Sequence, residues 1–219
     1  MFQTETPPAN LVRGKEGTPM ATLEFFFDCS SPWTYLAFAR LPDIVKRTAA
    51  KVVYRPILVG GVFNAVNPEV YDRRANPDAR KASYYEKDLA DWARLANITI
   101  GKPKVFPVRA VSMMRCALAA DEQGALLPFA RCAFEAYWGA LKDVSQRPVL
   151  EEVCQKAGLA PAAILARSEA EDIKSRLKAN TQELIARGGF GSPTMFVDRT
   201  DMYFGNDRLP LVEAALLRH

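Results

Sequence analysis

Residues 22–57, TLEFFFDCSSPWTYLAFARLPDIVKRTAAKVVYRPI, decide the fold. TLEFFFD (22–28) is a short apolar run rich in aromatics, the composition of a buried strand. Ser30, Ser31 and Pro32 then mark a helix start, because a serine oxygen accepts from a free first-turn amide and proline fits the first turn. The spacing predicts a helix from Trp33 to about Arg47, with Tyr35, Phe38, Ala39 and Ile44 on its apolar faces. KVVYRPI (51–57) is a second strand that Pro56 ends or confines to an edge. Strand, helix, strand is the opening of an α/β unit.

At the other end, residues 170–187 read as a helix stopped by Gly188 and Gly189. PTMFV (193–197) and DMYF (201–204) are strand candidates with a polar turn between them, and 209–217 closes as a helix. Between the two ends, residues 58–81 are rich in Gly, Asn and Pro and read as loop. From Ala82 to about Ser175 the pattern is helical, broken by Pro103 and Pro107. The order βαβ, helices, αββα predicts an α/β, thioredoxin-like fold with an all-helical insertion. The expected division is a thioredoxin-like domain from 21–65 and 176–219, with the insertion at 66–175. Residues 1–20 lack periodicity and are expected to form a disordered extension, with Met20 as a candidate natural start.

Composition narrows the chemistry. The chain has 219 residues, 49% hydrophobic and 25% charged, which is ordinary globular usage. Its single histidine is His219, the last residue, which argues against histidine triads and histidine-rich metal sites, so no metal site is expected. The formal charge of +4 and pI near 8.9 come from Lys and Arg spread along the chain. That dispersion fits a solvated surface with some preference for small anions, and no nucleic-acid partner is expected. Cys29, Cys116, Cys132 and Cys154 form no C-x-x-C pair and read as reduced thiols in a cytoplasmic compartment. No apolar run reaches the length of a membrane span, so no membrane partner is expected.

Three short segments carry the candidate chemistry. CSSPWT (29–34) joins the first strand to the first helix, where the helix dipole and free amides favour an anion such as a thiolate. Redox members of a thioredoxin fold hold a Cys-x-x-Cys here; Ser31 and Thr34 stand in the matching places. Without a dithiol, no intramolecular disulfide can cycle, but Ser31 can donate a hydrogen bond to a thiolate brought by a ligand. Ser31 also has a plain role as N-cap, and Cys29, at the end of a buried strand, reads as packing. GFGSPT (189–194) places Pro193 at the start of a strand, a sensible position for a cis bond facing the first helix; a simple loop is the other reading. In FGNDR (204–208), Asn206 and Asp207 are positioned to cap the last helix or to bind an ammonium or amide of a ligand.

These residues resemble a known family. FFFDCSSPWTYLA (25–37), RPILVGGVFNAVN (55–67), YYEKDLADWARLANI (84–98), FP (106–107), AYWG (136–139), GGFGSPTMFVD (188–198) and FGNDR (204–208) are similar to the 2-hydroxychromene-2-carboxylate isomerases and kappa-class glutathione transferases, relatives of DsbA-type oxidoreductases. The resemblance covers about 21–217 and implies glutathione as cofactor, a small aromatic substrate from aromatic catabolism, and a homodimer. It implies a glutathione-dependent cis–trans isomerase, in which a thiolate adds to a conjugated enone, the former double bond turns, and elimination follows. A kappa-like transferase or peroxidase using the same thiolate is the alternative, and a non-catalytic thiol binder a third reading.

The resemblance makes Ser31 catalytic. It implies glutathione contacts at Asn64, Asn76, Pro107, Ser192, Pro193, Asn206 and Asp207. Asn64 stands where kappa members often carry Lys, which removes a cation; Arg73 and Arg74 are nearby replacements, or surface residues. Trp92, Tyr137 and Trp138 are expected either to shape the substrate pocket or to pack in the helix core.

Overall fold

The computed structural model describes residues 21–218. The expected disordered extension at 1–20, the start at Met20 and His219 lie outside the described residues. Strand β1 (Thr22–Phe27), helix α1 (Pro32–Thr48) and strand β2 (Lys51–Pro56) form the predicted βαβ unit. Strands β3 (Thr194–Val197) and β4 (Asp201–Phe204) complete a four-stranded sheet of order β2-β1-β3-β4. β1 pairs in parallel with β2 (Phe25 opposite Tyr54) and antiparallel with β3 (Phe25 opposite Met195). β1 is central and covered on both faces, which is why its sequence is apolar from Leu23 to Phe27 except for Glu24, a buried carboxylate.

Phe25 and Phe27 point to one side, against Tyr54 and Phe38; Phe26 points to the other, edge-on to Phe196 at 5.7 Å. The first side joins a hydrophobic cluster continuing through Phe134 and Leu150 to Ile164 in the helical segment. The second side is a small cluster of Phe26, Ile57, Val62, Leu184 and Phe196. Each fully buried Phe or Leu contributes about 2 kcal/mol of transfer free energy to these cores.

Between β2 and β3 run α2 (Val59–Val66), α3 (Glu69–Ala75), α4 (Ala79–Leu95), α5 (Val111–Asp121), α6 (Leu126–Phe134), α7 (Arg147–Lys156), α8 (Pro161–Ser168) and α9 (Glu171–Ala186). A π-helical turn, Glu135–Gly139, extends α6, and α10 (Leu209–Leu216) follows β4. The helical stretch from 82 onward agrees with its periodicity, but 58–81 is not loop. It holds α2, α3 and the first residues of α4.

Long-range partners explain this correction. The Asp28 carboxylate, at the end of β1, accepts from the Val59 amide at 2.8 Å and so caps the start of α2 from another element. Val59 and Val62 are buried, and α2 packs on α9. Tertiary contacts thus override the low helix propensity of Gly60 and Gly61. For α4 the extra turn is local: Asp78 caps it by accepting from the Arg80 and Lys81 amides.

Candidate active site

The site is built around the first turn of α1. Ser31 is its N-cap: the side-chain oxygen accepts from the Thr34 amide at 3.2 Å, and Pro32 occupies the first turn. The Ser31 hydroxyl also donates to the Ser192 carbonyl oxygen at 3.1 Å. Ser192–Pro193 is a cis peptide bond, and so is Phe106–Pro107. The sheet brings these parts together because β3, which follows Pro193, lies directly beside β1.

Ser192 joins the two sides of this junction. Its hydroxyl accepts from the Asp28 amide at 3.1 Å and shares a hydrogen bond with the Thr34 hydroxyl at 2.7 Å. Thr34, in the place of a second cysteine, is therefore part of the scaffold of the turn. Gly205 donates its amide to the Pro193 carbonyl at 3.1 Å, which brings the Asn206 segment alongside. Gly205 has φ of 102° and ψ of 158°, a backbone region open essentially to glycine alone.

Asn206 and Asp207 lie in a short 3-10 turn, and neither side chain caps α10. That part of the reading is corrected: the chain makes its own turn before the helix, so α10 begins without a side-chain cap. Asn206 is only 2% exposed, and its side-chain oxygen is buried with no hydrogen-bond partner. Such a group in a finished core is costly, so it points to a donor from outside the chain. Asp207 is exposed and pairs with Arg208 at 2.6 Å.

An aromatic wall adjoins this junction. Tyr137 and Trp138 are buried, at 0% and 3% exposed, and belong to the helix core. Trp138 still acts on the site: its indole N–H donates to the Cys29 carbonyl at 3.0 Å and fixes the strand end before Ser31. Phe106, next to Pro107, is exposed and packs on Trp138 at 6.0 Å between ring centroids. Trp92 lies farther along α4, under the Arg40 guanidinium. Trp33 meets Tyr85 edge-on at 5.3 Å, so α4 also closes over the head of α1.

Asn64 and Asn76 are not hydrogen-bonded to this group. Asn64 is exposed on α2, and its side-chain oxygen accepts from the Tyr71 hydroxyl at 2.8 Å, linking α2 to α3. Asn76 is the exposed C-cap of α3. Sequence reading missed Asp28, a buried carboxylate that accepts from Ser30 through both its amide and its hydroxyl, and from Val59. Burial raises its pKa above the ordinary value, and the Ser30 and Val59 donors oppose that rise. Neighbouring Cys29 is fully buried, and burial, then the Asp28 charge, push its thiol well above 9.0. It supplies no thiolate near neutral pH.

Among the described residues, no group of His, Cys, Asp and Glu is arranged to hold a metal ion, and no helix is long and apolar enough to cross a membrane. The arrangement can receive an anion at the head of α1, hydrogen-bond it through Ser31, and seat a flat apolar group against the aromatic wall.

Comparison with known proteins places the chain. The DSBA-like thioredoxin domain family matches residues 22–217. A 2-hydroxychromene-2-carboxylate isomerase of Sphingobium xenophagum is 34% identical over 90% of this chain and 98% of its own. Glutathione S-transferase kappa 1 of Rattus norvegicus is 27% identical, over 90% of this chain and 91% of its own. A solved 2-hydroxychromene-2-carboxylate isomerase superposes with a TM-score of 0.75 at 26% identity, covering 90% of this chain and 95% of the other. With its serine capping α1 and its cis-proline turn beside it, the chain belongs to the DsbA-like thioredoxin family, in the group of the 2-hydroxychromene-2-carboxylate isomerases and kappa-class glutathione transferases.

Proposed function

We propose that this protein is a glutathione-dependent cis–trans isomerase of the 2-hydroxychromene-2-carboxylate type. The observation that carries the reading is Ser31: a hydroxyl at the positive end of α1, 3.1 Å from the carbonyl before a cis proline, with no reactive thiol of the chain beside it. The residues present fit glutathione. Asn206 offers a buried oxygen without a donor, suited to the γ-glutamyl ammonium, with the Asp207 carboxylate next to it. Ser192 and Pro193 offer backbone at the turn, and the same reading assigns Pro107, Asn64 and Asn76 to the rest of the tripeptide.

When bound, glutathione would supply the thiol that adds to and leaves the conjugated system. The chain's own part is electrostatic. The head of α1 favours negative charge, and Ser31 can turn its proton from the Ser192 carbonyl toward an anion placed there. Asp28 and Ser192 hold that geometry through their hydrogen bonds to Ser30, Val59 and Thr34. The same reading makes an aromatic small molecule the substrate, a homodimer the assembly and the cytoplasm the compartment. The helical segment at 66–175 then supplies the substrate wall.

The test is turnover of a 2-hydroxychromene-2-carboxylate with varied glutathione. Trans product forming in large excess over glutathione, with none consumed, is expected. Stoichiometric consumption would instead make the protein a transferase, and reduction of insulin disulfides would make it an oxidoreductase. Ser31→Ala is expected to lower kcat/KM roughly 10- to 100-fold, the loss of one hydrogen bond to a charged group.

A further inference from the structure

Arg74 is a cation with an unusual setting. Its guanidinium carbon lies 5.4 Å from the centre of the Phe63 ring on α2 and 5.3 Å from the centre of the Phe106 ring. It thus connects α2 and α3 to the Phe106–Pro107 segment. Arg73 differs: its guanidinium donates to the Asn67 side chain and to the Glu69 carbonyl, within its own helix neighbourhood. Arg74 enters no ion pair among the described residues. Ring faces orient a guanidinium yet leave its N–H edge free to donate.

The aromatic residues around Arg74 lead toward the site. Phe106 continues into Trp138, which holds the Cys29 carbonyl, and Tyr85 continues into Trp33, two residues after Ser31. Desolvation raises the Tyr137 phenol to about 12, and the Arg74 charge pulls against that rise. Desolvation also raises Tyr85, with the Trp33 contact and then the Arg74 charge opposing it. The guanidinium is therefore within electrostatic reach of both tyrosines.

From this placement we infer that Arg74 is the specificity-determining residue that holds the carboxylate of a flat aromatic substrate, with its ring against Phe106, Tyr85 and Trp33. It supplies the cation that is absent at Asn64, from a helix later in the chain. This rests on the isomerase reading for the identity of the substrate. The carboxylate chemistry could also be met by the glycine end of glutathione; the aromatic frame favours the substrate.

The test is calorimetric titration of the unliganded protein with 1-naphthoate and with 1-naphthamide, which differ only in charge at the relevant group. Naphthoate is expected to bind roughly tenfold more tightly. Arg74→Met should abolish that preference, Arg74→Glu should reverse it, and Arg73→Met should leave it intact. Equal binding of the two probes by the native protein, or an undiminished preference in Arg74→Met, overturns the inference. So does a loss of glutathione affinity in Arg74→Met with the naphthoate preference unchanged. Because these titrations need no turnover, failure of the isomerase assay with the Arg74-dependent preference present would sink the functional reading alone.

Discussion

Two residues before Ser31, Cys29 is buried with its thiol held well above 9.0, while Cys132 is partly exposed. Desolvation also holds Cys154 up at about 12 and Cys116 at about 11. Iodoacetamide on the native protein at pH 8 is expected to label Cys132 first and Cys29 only after unfolding, as read by peptide mass spectrometry. Early labelling of Cys29 would return it to the list of nucleophiles. Ser31 could be found in the sequence because Ser-Pro after an apolar run is a local helix-start signal. The scaffold role of Thr34 and the part played by Asp28 could not: their partners Ser192 and Val59 are 158 and 31 positions away, and no periodic pattern joins them. The orphaned oxygen of Asn206 is likewise invisible until the fold encloses it.

Among the elements, the sheet and α1 were legible because their signals are short-range: an aromatic strand, a cap, a proline, a glycine stop. Helix α2 was not, because its start is capped by Asp28 and its stability comes from packing on α9. Its glycines argue for loop in isolation and are overruled by contacts with residues more than a hundred positions away. The turn at Gly205 makes a sharper case. A Cβ built there would lie 2.7 Å from the Asp207 carboxylate, on a backbone that L side chains rarely adopt. Gly205→Ala is expected to cost about 1–3 kcal/mol of stability and to displace Asn206. Urea unfolding checks the first, and weaker glutathione binding by the folded variant checks the second. A variant as stable as the native chain would show that the turn relaxes freely.

For the whole molecule, the sheet is tied to its neighbours by charge as well as by its cores. Glu24 on β1 is 4% exposed and bonds Arg187 at 2.6 Å and Arg55 at 3.1 Å, while Arg187 lies over the Phe196 ring at 3.8 Å. Burial pushes the Glu24 carboxyl up, but the Arg187 and Arg55 hydrogen bonds and charges overcome it and leave the group below its ordinary 4.5. The folded state therefore binds this proton less readily than the unfolded chain. The contribution of Glu24 is present above pH 4.5 and is lost as the pH falls through its lower folded value. Glu24→Gln is expected to lower the melting temperature at pH 7 and to flatten the loss of stability below pH 4.5. An acid limb of unchanged steepness would place the pH dependence elsewhere. Topology at this scale was legible from element order alone, since one parallel and two antiparallel pairings suffice to bring residues 31, 192 and 206 to one end of the sheet.

The chain has three tryptophans, and two of them border the site. Trp138 is hydrogen-bonded to the strand end before Ser31, and Trp33 sits in the first turn of α1 against Tyr85. Trp92 lies apart under Arg40. The molecule thus carries its own optical label: a ligand entering the site changes the surroundings of two emitters and leaves the third as an internal reference.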